Sequence, residues 1–502
     1  MSKDPKYQEL INLVREANLL ASCGSLLGWD ERTYLPSKGS EFRGEQVGLI
    51  ARLSHQMNTN PRVGELLANV EGRLMPAVDL PEQANIREIR RSYDRATKLP
   101  ARLVEEMAKI TTQAQGAWSQ ARQENDYPAF KPWLDKILVL KREETQAIGF
   151  KNHPYDALLD EYEPGCSSTE IREIFAGLVK ELTPLLKRIQ GASAKPRTEI
   201  LHRSFPIEAQ KEFGRKTAAK IGFDFEAGRL DTTTHPFCSG IGPGDCRITT
   251  RYNANFFNES FFGTLHEAGH GIYEQNLPAA DFGTPLGSYC SLGIHESQSR
   301  LWENQIGRSR PFWEHFYPQA KELFSSLSDV PLEDFFFAIN EVKPSLIRVE
   351  ADEVTYNLHI ALRFELEMDL LKGDLSTADL PETWNQKFQS YFGIQPPDSK
   401  TGCLQDIHWS MGGIGYFPTY TLGNLYAAQF MVQARKVMPL LDREISQGEF
   451  GSLKQWLVTH VHSHGRRYTP DVLCRKITGQ ALTHKPFLEY LNEKFSHLYR
   501  LM

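Results

Sequence analysis

Long apolar runs are missing from this sequence of 502 residues. The longest, around Leu19–Trp29, falls well short of the roughly 20 residues needed to cross a bilayer, so no membrane partner is expected. The opening residues, MSKDPKYQEL, are polar and hold no signal core, and a cytoplasmic location is the expectation. Cysteine is scarce. Its seven copies (Cys23, Cys166, Cys238, Cys246, Cys290, Cys403 and Cys474) are scattered and odd in number, which excludes a disulfide framework. No C-x-x-C pair occurs, so neither a zinc finger nor a thiol redox motif is available. Charge of one sign is barely in excess, with a net −6 and no basic stripe, and a nucleic-acid partner is not expected. Low-complexity tracts and self-similarity at about 20–45 residues are absent too, which argues against tethered modules and solenoids. One domain over 1–502 is therefore expected.

What is present is mostly helical periodicity. Apolar spacing predicts helices over Tyr7–Leu20, Glu41–His55, Glu82–Leu99, Ala101–Gln123, Trp133–Gly149 and Glu170–Ile189, the last capped by the Ser168–Thr169 pair and stopped near Gly191. The pattern breaks between Glu199 and Asn253. There Ile200–Ser204, Gly228–His235 and Cys246–Tyr252 read as a small β-sheet whose strand edge could pair with an extended peptide. Helices resume over Arg310–Ser326, Leu332–Asn340, Ser345–Leu371, Pro381–Tyr391, Leu422–Ser446, Ser452–Val461 and His484–Arg500. The expected organisation is a helical wall or cap over 1–198, the sheet over 199–255 and a helical catalytic part over 256–502.

The chain is organised around Phe261–Asn276, FFGTLHEAGHGIYEQN. Residues four apart share one helix face, so His266 and His270 can offer two imidazole nitrogens to a single ion. Glu267 is rotated by about 100°, which suits a carboxylate standing beside the ion as general base. Phe261, Phe262, Leu265, Ile272 and Tyr273 surround the motif and imply burial. A catalytic site needs a third ligand and an open position. Glu296 is the favoured candidate, in a helix over Gly293–Asn304 that returns after the turn-rich Pro278–Ser288; His295 is the competitor, expected instead beside the substrate or supporting a ligand. In DCRIT, Asp245, Arg247 and Thr249 alternate onto one strand face, a polar wall that could grip substrate. Arg348 and Asp352, i and i+4 in the expected helix Ser345–Leu371, read as an ion pair presenting a fixed guanidinium. The glycine-rich, aromatic stretch Gly402–Asn424 carries Gln405, Asp406, His408, Tyr416 and Tyr420, which include donors suited to a developing oxyanion.

Taken together, HPF at His235–Phe237, DCRIT at Asp245–Thr249, HEAGH at His266–His270, HESQ at His295–Gln298, IRVEAD at Ile347–Asp352 and GCLQDIHW at Gly402–Trp409 make the chain resemble the carboxypeptidase Taq family of metallocarboxypeptidases. WDERTYLPSKG (Trp29–Gly39) and HPYDALLDEYEPG (His153–Gly165) extend the similarity to nearly full length. The resemblance implies a mainly α fold, a large multi-helix body with a deep central groove akin to neurolysin and angiotensin-converting enzyme, with the small sheet lining the groove. It implies broad removal of C-terminal amino acids from peptides with a free C-terminus, a homodimer, and zinc or cobalt, one ion per subunit. It supports His266, His270 and Glu296 as ligands and Glu267 as base. The expectation places Tyr420 or His408 at the oxyanion and Arg348, then Arg247, at the terminal carboxylate. Asp245, Thr249, His235, His295, Gln298, Gln405 and Tyr416 are expected near substrate, with Asp352 and Asp406 orienting these groups. An endo-acting zinc oligopeptidase is the alternative, and a non-catalytic peptide-binding scaffold the reading from another class.

Overall fold

Chain segments far apart in sequence build two compact units, Met1–Thr97 with Arg197–Ile339 and Phe430–Gln480, and Lys98–Pro196 with Asn340–Gln429 and Ala481–Met502. A computed structural model describes residues 4–71 and 80–501. Each unit is assembled from three stretches separated in the sequence.

In the first unit, Asp4 accepts a hydrogen bond from the Lys6 amide and Pro5 occupies the first turn, so helix α1 (Pro5–Thr33) starts cleanly. It runs well beyond the expected Leu20 and pairs with α2 (Ser40–Asn58). Tyr7, Leu10 and Ile11 bury against Val63, Leu66, Leu67 and Val70 of the helix Pro61–Glu71 and against Ile86 and Ile89.

The sheet is smaller and differently arranged than its sequence suggests. Strands β1 (Gly228–Thr232), β2 (Cys238–Gly242) and β3 (Asp245–Thr250) lie in the order β1-β3-β2, with β1 parallel and β2 antiparallel to β3. Ile200–Ser204 is no strand: Thr198–His202 forms a 3-10 turn. β3, which carries DCRIT, is paired on both sides, so the outer edges of the sheet belong to β1 and β2.

Helix α3 (Phe257–Gln275) carries the H-E-x-x-H stretch, and its apolar back fixes it in place. Phe261 stacks on Phe257 at 5.1 Å and on Phe213 at 5.0 Å, with Trp313 5.1 Å away. Each ring so buried contributes about 2 kcal/mol. Phe261, Phe262, Leu265, Ile272 and Tyr273 are all buried, as their pattern predicts. The connector folds as two 3-10 turns, Ala279–Asp281 and Pro285–Gly287. Ser291 then caps α4 (Leu292–Arg300) by accepting from the Ile294 amide. α4 runs on into a π-helical segment, Leu301–Ile306, a local winding that recurs at functional sites.

The second unit is helical, and its helix Ser168–Gly191 begins with a capping box between Ser167 and Glu170, one residue before the expected pair. Helix α5 (Thr355–Lys372) is buried on nearly every side. It starts ten residues later than the expected Ser345: Arg348 sits in a 3-10 turn (Arg348–Glu350), and Asp352 accepts from the amides of Lys343, Val354 and Thr355 and from the Thr355 hydroxyl. Asp352 is thus a cap and not the partner of Arg348, correcting the expected ion pair.

Candidate metal centre

His266 and His270 project from one face of α3, and Glu296 approaches them from α4. This closeness depends on Gly269. A Cβ there would fall 2.6 Å from the Gln298 carbonyl oxygen and 2.7 Å from the Ser299 Cα, so the two helix backbones are almost in contact. His266 Nε2 is 3.7 Å and His270 Nε2 3.4 Å from Glu296 Oε2, and one ligand atom from each residue lies within 4.8 Å of the others. Among the described residues this is the one group of three histidine, cysteine or carboxylate side chains so gathered.

The second nitrogen of each histidine and the other oxygen of Glu296 are engaged elsewhere, which turns His266 Nε2, His270 Nε2 and Glu296 Oε2 toward one another. His266 Nδ1 lies 2.8 Å from Glu303 Oε2, and His270 Nδ1 lies 2.6 Å from His295 Nδ1. Arg300 donates through Nε to Glu296 Oε1 at 2.7 Å and through Nη1 to Glu303 Oε2 at 3.1 Å, and the Ser299 hydroxyl donates to Glu296 Oε2 at 3.0 Å. Two imidazole nitrogens and a carboxylate oxygen fit a divalent cation of the zinc type.

The electrostatics agree with that donor set. Burial works to raise the Glu296 carboxyl, but Arg300 and His266 hold it well below the usual carboxylate range. Burial is overcome likewise at Glu303, where Arg300 and the bond to His266 bring it down to about 2. Burial and the neighbouring His295 lower His270 to about 3, leaving the neutral imidazole that a metal requires. At His266 burial acts downward, yet Glu296 and Glu303 carry the ring above its ordinary value. Glu267, 6% exposed, is pushed up to about 7 by burial, with His266 drawing against it.

The other expected residues fall into two groups. In the first unit, Arg247 Nε and Nη2 bind both oxygens of Asp245 at 2.8 and 2.9 Å, and its guanidinium lies 4.1 Å over the Trp29 ring. His235 is exposed between β1 and β2. Thr249 and Gln298 are fully buried and correct the expectation that they touch substrate. The Thr249 hydroxyl bonds the Phe237 backbone, and the Gln298 side chain bonds His462 and Ser297.

In the second unit, Arg348 donates through Nε and Nη2 to Asp406 at 2.9 and 2.8 Å and through Nη1 to the Tyr356 hydroxyl at 2.9 Å. Gln405 is spent on backbone, accepting from the Arg348 amide and donating to the Leu346 carbonyl. Tyr420 lies 3.4 Å from His408 Nε2, with Tyr416 stacked on the His408 ring. Glu303, Arg300 and Glu274 escaped the sequence reading. Each left a signal: Glu274 is four residues beyond His270, Arg300 four beyond Glu296 and Glu303 seven beyond, spacings that share a helix face.

With this geometry, the sequence profile of the carboxypeptidase Taq (M32) metallopeptidases matches residues 9–495. The chain belongs to that family. It is 49% identical over 510 residues to thermostable carboxypeptidase 1 of Thermus thermophilus, covering 99% of this chain and all of the relative. Identity to carboxypeptidase 1 of Bacillus subtilis is 39%, covering 98% and 99%. The crystal structure of the M32 carboxypeptidase of Deinococcus radiodurans superposes with a TM-score of 0.96 at 39% identity, covering 99% of this chain and 100% of that one. The mainly helical fold with its small sheet is the M32 fold, as expected from sequence. This M32 chain is a metal-dependent carboxypeptidase with a divalent-ion site.

Proposed function

We propose that this metallocarboxypeptidase removes C-terminal residues successively from peptides of broad sequence, with zinc, or cobalt in its place, held one per subunit by His266, His270 and Glu296. The observation that carries the reading is the convergence of those three side chains, with Glu267 adjacent to His266 on the same helix. When bound, the ion supplies Lewis acidity, acidifying water and polarising the scissile carbonyl. Glu267 accepts the proton of the attacking water as its oxygen adds to the carbonyl carbon, then delivers that proton to the departing amine as the C–N bond breaks. Arg300 keeps Glu296 ionised for its ligand role.

Tyr420, or else His408, is the proposed donor to the tetrahedral oxyanion, with Tyr416 shaping their surroundings. Arg348 is the first choice for the terminal carboxylate and Arg247 the second. Each guanidinium is preset by a carboxylate and an aromatic ring, the arrangement that favours planar recognition. His235, Asp245 and His295 remain proposed neighbours of the substrate. Exposed apolar side chains on α1 (Leu19, Leu26) and α2 (Phe42, Leu49, Leu53) support association into a homodimer, which light scattering tests. Free cysteines suit a reducing compartment and so a cytoplasmic location. No helix among the described residues is long and apolar enough to cross a membrane.

The deciding experiment is digestion of a peptide ladder followed by mass spectrometry. Loss of one C-terminal residue at a time, stopped by a chelator, restored by Zn2+ or Co2+ and blocked by C-terminal amidation, is expected. Internal fragments from amidated peptides would instead establish the endo-acting reading.

A further inference from the structure

We propose that Glu274 is a positioning residue for the metal ligand His270, acting through His295. The proposal rests on the ligand assignment above and goes one step outward from it.

Proton placement forces the chain of contacts. His270 Nε2 is the atom that faces Glu296 Oε2, at 3.4 Å. For that nitrogen to offer a lone pair, the ring's single proton must sit on Nδ1. Nδ1 lies 2.6 Å from His295 Nδ1, so His270 donates and His295 accepts. The proton of His295 is thereby confined to Nε2, which lies 2.8 Å from Glu274 Oε1 and donates to that carboxylate. The reversed placement protonates the His270 nitrogen that faces the ligand site and abolishes its donor role. A carboxylate at the far end selects the productive order, because it can only accept.

The packing holds this order in place. The His270 and His295 rings lie with centroids 4.5 Å apart and 27° between planes, so their nitrogens meet edge to edge, and Tyr289 lies across the His295 ring at 4.8 Å. His266, His270 and Glu274 recur at intervals of four on α3, so ligand, ligand and carboxylate share one face. The other oxygen of Glu274 is set from the sheet: a Cβ on Gly240 of β2 would fall 2.4 Å from Glu274 Oε2. The two ligand imidazoles are thus supported unequally. His266 leans directly on Glu303, whereas His270 reaches its carboxylate only across a second imidazole.

The test measures Zn2+ affinity of the metal-free protein by chelator competition, with the absorption spectrum of the Co2+-loaded protein as a second readout. Glu274→Leu removes the acceptor, Glu274→Gln keeps an acceptor without charge, and Gly240→Ala displaces the carboxylate without altering any ionisable group. About 10–100-fold weaker binding is expected for Glu274→Leu, a smaller loss for Glu274→Gln, an intermediate one for Gly240→Ala, and a changed Co2+ spectrum. The unfolding midpoint of the metal-free protein should not move, which a merely structural role would not allow. Parental affinity in both Gly240→Ala and Glu274→Gln overturns the proposal even where Glu274→Leu does not fold. Undiminished Zn2+ binding by His270→Ala would instead remove the ligand assignment beneath it.

Discussion

Gly269 shows how much one missing side chain can decide. With backbone atoms of α4 less than 3 Å from where its Cβ would stand, Gly269→Ala must drive α3 and α4 apart. Overpacking of this kind costs about 1–3 kcal/mol, and Glu296 would retreat with its helix. A lower unfolding midpoint together with weaker Zn2+ binding is the expected result, read by denaturant titration and chelator competition. Glu267 makes the opposite prediction. Glu267→Gln keeps its volume and touches no ligand atom, so metal content should stay at one ion per chain while kcat falls about 10²–10⁴-fold. Single-turnover assays on a peptide with a free C-terminus check it, and near-normal turnover would remove Glu267 from the proton-transfer role.

At the scale of elements, local chemistry was readable and tertiary capture was not. His266, His270 and Glu267 were legible because their relation is set by helix geometry alone, and Glu296 because the turns before it permit a return. Glu274 and Glu303 sat at equally regular spacings, but carboxylates on a helix surface are common and spacing alone does not mark them. Arg348 and Asp352 were misread because i, i+4 adjacency presupposes a helix. An Asp three residues before Thr355 is better used in gathering amides at the head of α5. The helix expected over Leu422–Ser446 is two, Pro418–Val437 and Leu441–Ser446, with Pro439 in the gap where its ring and missing N–H forbid continuation. β2 was missed because CSGIG has the composition of a loop and becomes a strand only by pairing with β3. Asp352→Ala tests the corrected role. It strands two amides at the head of α5 and that of Lys343, and should lower stability by about 2 kcal/mol, measured by urea unfolding.

For the whole molecule, buried neutral histidines add to the loss of stability in acid. Burial, with Arg348 adding, lowers His359 from 6.5 to about 3; its Nε2 lies 3.0 Å from the Ser345 carbonyl oxygen, to which it donates. Burial, aided by Lys454, brings His462 to about 3 in the other unit. Below pH 6.5 the unfolded chain binds protons that the folded chain refuses at these rings. Their contribution is therefore complete above about pH 6.5 and declines as pH falls toward 3, by up to about 1.4 kcal/mol per pH unit for each ring. Urea midpoints at pH 7.5 and 4.5 should show this loss, and His359→Gln should flatten it.

The interleaving of the chain bears on biogenesis. The first unit is finished only by Phe430–Gln480, whose Phe450 covers Trp302, Phe312 and Phe316 and whose His462 holds Gln298. A ribosome must therefore release residue 480 before the cage around the ion can close. Until then the nascent polypeptide displays HEAGH without its finished surroundings, so stable loading with metal belongs to the end of synthesis.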